Sequence, residues 1–448
     1  MRQAHIVVDL GYGDQGKGAT VDYLARQTNA HTIVRFNGGG QAAHHVTTDD
    51  GRWHKFSHFG SGMFQDSVST YLSRFMFISP KAMLKEAAFM EKIGIKSAMS
   101  RTFIDMDAVI ISPYHQAANR IIELQRGADA HGSCGIGFGK AVHDSIVNPQ
   151  FTIKAGDLHY PDLVRQKLKL IKESSWNELK SLFDGVPLHE DASREFQGCF
   201  VDGGVDDFFM EIYKQLVDST HIVPRTFWAE LLKKDGSIVF EGAQGVLLDE
   251  WHGFHPHTTW STTTFENADI LLEEGRFGGK IVKTGVTRAY STRHGAGPFV
   301  VEDADMTRRL PEHHNSTNRW QDNFKVGWLD LVALNYAARV AGRMDHISVT
   351  CLDRIHSLGE IQACTGYHIP GGSEYDIPLG TKDMLKREEI TNALYTVRPI
   401  MENIESVGAL LAHIGRSTGT PPGILSYGQS PKDKVLISDD LLSLATKQ

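Results

Sequence analysis

The hydrophobic positions fall into short blocks whose spacing switches between the strand period and the helix period. Residues 5–10 carry the β-branched run Ile6-Val7-Val8 and end at a glycine, which predicts a buried strand. Residues 19–27 place Val21, Tyr23, Leu24 and Ala25 at helical spacing, and residues 32–36 return to a strand pattern. Strand, loop, helix and strand in succession make a βαβ opening, which predicts a parallel sheet. The alternation continues with strands over 75–79 and 103–111, a helix from Pro80 through Ile93 and another over 114–126. Residues 160–233 read as mainly helical, with 185–204 breaking the pattern. Further on, the pattern predicts a strand over 237–240, a helix over 328–341, a strand over 346–352, β alternation over 359–369 and a helix over 401–414. There is no internal repeat, low-complexity tract or proline-rich linker. The expected architecture is a single α/β unit over residues 1–448. It comprises a large mostly parallel sheet flanked by helices, a P-loop-like nucleotide-binding core, and a helical insertion at about 160–233.

Composition narrows the function classes. Of the 448 residues 41% are hydrophobic and 22% charged, enough to bury a substantial core. A formal charge of -8 supplies no basic field for collecting nucleic acid. Cys134, Cys199, Cys351 and Cys364 are widely separated and form no CxxC pair, which argues against a disulfide framework or a thiolate zinc site. Met1 runs almost directly into Ile6-Val7-Val8, without the basic segment and apolar core of a signal peptide. No run approaches the roughly 18 apolar residues of a membrane span. A cytoplasmic protein with no membrane or nucleic-acid partner is expected.

The segment Gly11-Tyr12-Gly13-Asp14-Gln15-Gly16-Lys17-Gly18 has the spacing of a phosphate-binding loop up to its lysine. Glycines let consecutive backbone N–H groups converge on an anion, and the following helix adds its positive end. Lys17 is placed to meet phosphate oxygens. The hydroxyl residue that ordinarily follows this lysine and holds magnesium is replaced by Gly18, so another oxygen must serve, and Asp14 is the one available. A glycine-rich turn that binds nothing is the competing reading. A second glycine turn, residues 35–45, contains Asn37, Gln41, Ala43 and His44. A βαβ unit brings the two strand ends side by side, so this turn faces the first. His44 is then in place to protonate or bridge phosphate oxygens. The alternative is one more polar loop histidine among the 22 of the chain.

Taken together, these motifs resemble the adenylosuccinate synthetase family. Residues 13–18 resemble its GDEGKG loop, and 35–44 its RYQGGHNAGH segment. Glu241-Gly242-Ala243-Gln244-Gly245 and Leu247-Leu248-Asp249 are similar to its EGAQG and LLD stretches. Residues 289–293 and 295–299 match AYSTR and GAGPF, 327–330 match GWLD, and 350–353 resemble TKLD. The matches keep their order along nearly the whole chain.

The resemblance implies a homodimeric, Mg2+-dependent ligase that joins L-aspartate to IMP at the expense of GTP through a 6-phosphoryl intermediate. By resemblance Asp14 is the general base and a metal ligand, His44 the acid near the leaving phosphates, Lys17 a phosphate contact and Gln244 the support of the purine oxyanion. Gly13, Gln15, Gly16, Gly18 and Ala43 line the nucleotide phosphates, and the carbonyl of Ala43 completes the metal contacts. Asn37, Gln41, Ser133, Cys134 and Thr259 fall at the purine monophosphate. Asp353, Ser426 and Gly428 fall at the guanine, whose two N–H donors suit a carboxylate.

Several positions depart from the family pattern. Cys351 replaces the TKLD lysine, and residues 133–137 replace TTGRG. No arginine between Val142 and Lys154 takes the place of the one that reaches into the partner's site. The arginine-rich loop that grips aspartate becomes residues 315–325, leaving Asn318, Arg319 and Lys325 as amino-acid contacts. These changes keep two alternatives open. One is a phage-type synthetase acting on (d)GMP, with ATP as an alternative donor; the other is a nucleotide-binding regulator that has lost the ligation step.

Overall fold

The computed structural model describes residues 2–127, 135–312, 324–369, 376–379 and 382–437. Strand β1 (Arg2–Asp9) is buried along nearly its whole length and leads through the first glycine loop into helix α1 (Lys17–Gln27) and strand β2 (Ala30–Arg35). A hairpin of β3 (His44–Thr47) and β4 (Trp53–Phe56) follows, then β5 (Ser69–Leu72), the short β6 (Phe77–Ile78), helix α2 (Pro80–Lys92), β7 (Thr102–Asp105) and β8 (Val109–Ile110). Next come the helices α3 (Pro113–Arg126), α4 (Phe138–Val147), α5 (Pro161–Leu182), α6 (Glu190–Phe196) and α7 (Val205–Ser219). Then follow β9 (His221–Val223), α8 (Arg225–Leu231), β10 (Gly236–Glu241), α9 (Glu266–Glu274), β11 (Lys280–Arg288), β12 (Ser291–His294) and α10 (Ala304–Arg309). After residue 323 the chain forms β13 (Phe324–Gly327), β14 (Leu329–Asp330), α11 (Leu331–Ala341), β15 (His346–Thr350) and α12 (Leu352–His356). The last elements are β16 (Gln362–His368), α13 (Met384–Thr396), β17 (Arg398–Asn403), α14 (Val407–Thr418), β18 (Pro422–Ser426) and β19 (Lys434–Leu436).

Ten strands form one sheet in the order β19-β18-β15-β11-β1-β10-β2-β5-β7-β9. Every neighbouring pair is parallel except β18 with β19, so the expected mostly parallel sheet is found. Strand β1 lies between β11 and β10; β15, β18 and β19 extend the sheet beyond β11, and β2, β5, β7 and β9 extend it beyond β10, a division about β1 that opens a crevice at the carboxyl ends of these strands. One face of the sheet packs under α1 through Val7, Val21, Leu24, Val239 and Val282. A second apolar cluster, with Leu72, Ile104, Ile121, Leu168 and Leu216, joins the far half of the sheet to α2, α3, α5 and α7. The stretch expected to be a helical insertion also supplies the edge strand β9.

Several elements differ from the sequence pattern for local reasons. Residues 75–79 hold only the two-residue β6, which pairs with β8 outside the main sheet; the sheet strand is β5, whose Ser69 and Thr70 lack a strong apolar signature. The stretch 103–111 breaks because the Asp105 carboxylate accepts the Asp107 N–H at 2.9 Å, turning the chain between β7 and β8. Residues 401–414 divide into β17 and α14, the helix starting where Ser406 Oγ accepts the Ala409 N–H at 3.1 Å. Likewise α11 begins only at Leu331, capped by Asp330 Oδ1 on Val332 N and Ala333 N at 3.1 and 3.0 Å.

Candidate active site

Six neighbouring strands deliver side chains to one crevice from their carboxyl ends: β18, β15, β11, β1, β10 and β2. The crevice encloses a cavity of about 580 Å³, within the range of small-molecule sites.

The loop after β1 is built on Asp9. Its Oδ1 accepts the N–H groups of Gly11 and Gly13 at 2.8 and 3.1 Å, and its Oδ2 accepts Gln15 N and Lys17 Nζ, both at 2.9 Å. Lys17 Nζ also donates to Gly13 O at 2.7 Å. Gly13 and Gly16 hold φ of 106° and 92°, which a side chain would strain, and Gly16 is the N-cap of α1. At Gly18 a Cβ would stand 2.7 Å from the His44 Cβ and 3.1 Å from Ser61 Oγ, so the close approach of His44 excludes the usual hydroxyl side chain.

Asp14 lies on the cavity wall. Burial raises its carboxyl above the ordinary range; Arg288, then Lys17 and His294, counter that rise, and Asp9 adds to it. Arg288 fastens this part of the loop: its N–H donates to Gln15 Oε1 at 2.8 Å and its Nε to Asp14 O at 2.5 Å. Its Nη1 bonds Glu312 Oε2 at 2.8 Å and Tyr290 OH at 3.2 Å. Thr350 Oγ1 closes the other side on Gln15 O at 2.7 Å.

His44 Nδ1 stands 2.5 Å from Glu241 Oε1 at the end of β10. Ser61 supports the same carboxylate through its hydroxyl and through its N–H at 2.9 Å. Burial, only partly offset by Glu241, holds the imidazole down at about 4. Burial would by itself raise Glu241, but the His44 and Ser61 hydrogen bonds and nearby Arg35 bring it to about 2. The carboxylate therefore fixes the ring with the proton on Nδ1 and leaves Nε2 toward the cavity chemistry.

Gln244 has φ of 58°, unusual for a non-glycine residue and a mark of a position fixed by its surroundings. Gly38 must lack a side chain there, since a Cβ would stand 2.9 Å from Gln244 Oε1. The Asn37 amide locks this turn to its own, donating to Ala243 O at 3.0 Å and accepting from Ala243 N at 2.7 Å. Buried polar atoms of Gln41, His44, Gln244 and His294, all on the cavity wall, have no hydrogen-bond partner among the described residues. A polar ligand would satisfy them.

Of the residues expected from sequence, Gly13, Asp14, Gly16, Lys17, Gly18, Gln41, Ala43, His44, Gln244, Asp353, Ser426 and Gly428 line this one cavity. Asn37 and Gln15 stand behind it as supports. Thr259 is tied to Leu248 O through its backbone at 2.8 Å and is not on the wall. Lys325 is also absent from the wall; its Nζ pairs with Glu302 at 3.2 Å. Ser133, Cys134, Asn318 and Arg319 lie outside the described residues. Asp9, Arg288, Ser61, Glu241, His294 and Glu312 join the site without being among the residues expected from sequence. An acid closing a buried apolar strand just before a glycine loop was a visible signal for Asp9; the others depend on contacts far apart in the chain.

No group of three or more His, Cys, Asp or Glu suited to a metal ion occurs among the described residues, and no described helix is long and apolar enough to cross a membrane. Comparison with known proteins gives a consistent picture. The adenylosuccinate synthetase family model matches residues 6–432. The adenylosuccinate synthetase of Clostridium beijerinckii is 29% identical over 451 residues, covering 98% of this chain and 100% of that protein. That of Clostridium novyi is 29% identical over 453 residues, covering 97% and 99%. Among solved structures, fully ligated adenylosuccinate synthetase from Plasmodium falciparum superposes with a TM-score of 0.76 at 22% identity, over 97% of this chain and 99% of that one. The cyanophage S-2L succinoaminodeoxyadenylate synthetase, bound to dGMP and to dATP as an energy donor, gives 0.60 at 15% identity, over 99% of each.

Proposed function

The chain belongs to the adenylosuccinate synthetase family, ligases that form a C–N bond, and from that premise we propose that it couples L-aspartate to a 6-oxopurine nucleotide, IMP, using GTP. The observation that carries the reading is the meeting of Asp14, Lys17, His44 and Gln244 on the wall of one cavity. Phosphoryl transfer requires positioning, charge neutralisation and a group that activates the nucleophile, and each has a residue here.

In the first step the Asp14 carboxylate takes the N1 proton of the purine as oxygen 6 attacks the γ-phosphorus. The bond from that phosphorus to the β,γ-bridging oxygen breaks and GDP leaves. A carboxyl that burial holds above its ordinary range is a stronger base than an exposed one, and Arg288 and Lys17 oppose that rise by favouring the charged form. Gln244 has an amide to meet the charge that develops on oxygen 6. His44 keeps Nδ1–H on Glu241; a ring that has taken a solvent proton on Nε2 before the transfer gives that proton to the departing β-phosphate oxygen, and Glu241 stabilises the imidazolium until it does. In the second step the aspartate amine attacks carbon 6 and inorganic phosphate departs.

Magnesium fits the donor set. The Asp14 carboxylate and the Ala43 backbone are on the wall, and both offer the hard oxygen ligands the ion prefers. Few protein oxygens suit an ion whose remaining ligands are substrate phosphates and water. Bound there, it would neutralise phosphate charge.

Assembly as a homodimer is part of the same reading. Ile146, Val147 and Trp260 are 66%, 58% and 50% exposed, and Trp260 packs beside His143 of α4 with ring centroids 6.2 Å apart. Light scattering that finds only monomers at micromolar concentration would remove the dimer.

The substrate reading is tested by incubating the protein with IMP or dGMP, GTP or ATP, aspartate and Mg2+, following phosphate and succinylated product. Product from IMP with GTP is expected. Product from dGMP alone would replace IMP by the phage-type acceptor, a reading favoured by the altered segments at 133–137 and 315–325. Nucleotide binding without product would leave a regulator.

A further inference from the structure

His294 lies between the AYSTR and GAGPF motifs and belongs to neither. It ends β12 and pairs in antiparallel register with Phe324, whose ring meets the imidazole edge-on with centroids 5.8 Å apart. The turn that follows is held firmly. Arg293 stacks its guanidinium 4.2 Å from the Tyr12 ring centroid, and it donates from Nε to Ala296 O at 3.0 Å and from Nη1 to Pro298 O at 2.9 Å. The imidazole thus stands on a rigid platform at the cavity wall, near enough to Asp14 for its charge to be felt there. Among the described residues its buried Nε2 has no hydrogen-bond partner.

Among the described residues near Asp14, Lys17 and Arg288 are otherwise engaged. Lys17 is paired with Asp9, and Arg288 with Glu312 and the Asp14 carbonyl. Lys325, the described cation expected to hold the amino acid, is paired with Glu302 away from the wall. A carboxylate brought beside Asp14 would therefore meet, in His294, a ring nitrogen with nothing bound to it. An imidazole N–H is a good donor to a carboxylate, and leaving the nitrogen unpaired when buried is costly.

We propose that His294 is a recognition residue for the amino-acid co-substrate, donating from Nε2 to a carboxylate of the attacking amine. The inference rests on the ligase reading above and adds a residue to it. His294 takes up part of the work that an arginine fork does where one is present, at lower strength because one N–H replaces two. The contact binds and orients the amine; it takes no part in transferring the phosphoryl group.

The test separates the substrates kinetically. His294→Phe keeps a flat ring and removes the donor, while His294→Gln keeps an N–H at similar reach. In steady-state assays of the full chain, the Phe variant is expected to raise KM for aspartate about ten-fold or more, the loss of a hydrogen bond to a charged group. KM for the purine nucleotide and for the donor should move far less, and the Gln variant should recover much of the aspartate KM. An unchanged aspartate KM, or an equal rise in the purine nucleotide KM, would overturn the proposal. The ligase reading is checked separately in the unmodified protein. Donor nucleotide labelled with 18O in the β,γ-bridge should scramble its label when the purine nucleotide is present and aspartate absent. Absence of scrambling together with absence of product would bring down that reading and the His294 proposal with it.

Discussion

Asp9 and Lys17 form a buried ion pair beneath the phosphate loop, Oδ2 to Nζ at 2.9 Å, with side chains 0% and 1% exposed. The carboxylate also gathers three backbone N–H groups, so the loop carries its own internal anion. Replacing Asp9 by Asn leaves Lys17 as a buried charge without its partner. The unliganded protein should lose about 3 kcal/mol of stability, the scale for breaking one half of such a pair. A bound triphosphate supplies the missing negative charge, so the rise in Tm on adding GTP should be larger in Asp9→Asn than in the unmodified protein. Equal ligand-induced shifts would show that Asp9 does not govern the charge available to phosphate.

Asp14→Asn removes the proposed base with little change in shape. Turnover should fall by at least about 100-fold, the usual contribution of general-base catalysis. Nucleotide binding, read by calorimetry, should persist because Lys17 and the loop backbone are untouched. Near-normal turnover would take Asp14 out of the base role.

Glu241→Gln tests how His44 is held. A glutamine keeps the size of the side chain but no longer stabilises an imidazolium, so kcat should drop about 10- to 100-fold, as for other supporting partners of functional histidines. KM should change little. A KM increase with constant kcat would mean that Glu241 shapes binding and not the acid.

Two buried histidines predict an acid limit to stability. His5 is lowered to about 4 by burial, then by Lys280 and His346; His115 is lowered to about 4 by burial, with Asp144 opposing and Lys140 assisting. An unfolded histidine takes up its proton near pH 6.5, so between that pH and about 4 the unfolded chain binds more protons than the folded one. Stability is therefore full above about pH 6.5 and falls as pH drops toward 4, by up to about 3 kcal/mol for each histidine. Urea titrations at pH 7.5 and 5.0 should show the loss, and His115→Gln should reduce it. A flat profile across that range would contradict the burial of these rings.

Lys325→Ala, which cuts the pair with Glu302 outside the cavity, should leave KM for aspartate within about two-fold, as expected of a half-exposed surface pair. A large rise would return Lys325 to the amino-acid site.

The phosphate loop, the second glycine turn and Gln244 were legible in the sequence because their geometry is dictated locally. Gly13, Gly16 and Gly38 sit at positive φ where a side chain would strain or collide. The mostly parallel sheet was legible from alternating strand and helix patterns. Strand β11, central in that sheet, escaped notice although it delivers Arg288; its Lys280, Lys283, Thr284 and Gly285 dilute the apolar pattern. The partnership of His44 with Glu241 spans 197 residues, and that of Arg288 with Asp14 spans 274. No spacing rule reaches so far; only the strand order that seats β11, β1 and β10 side by side brings them together. Thr259 and Lys325, residues of suitable type, are not on the wall of this cavity; Lys325 pairs with Glu302 instead.

Strands β11, β1 and β10 are immediate neighbours, and Arg288, Asp14 and Gln244, at or just beyond their ends, line one cavity. The segments that depart most from the family pattern, 133–137 and 315–325, fall outside the residues of that trio in the sequence. Under the proposed ligase reading, reaction and selection fall on separate pieces of chain. Such a division makes the protein modular: those segments can be rewritten to admit a different base, sugar or amine while the reacting centre stays as it is. An engineer seeking a new product would exchange those segments and leave the trio alone.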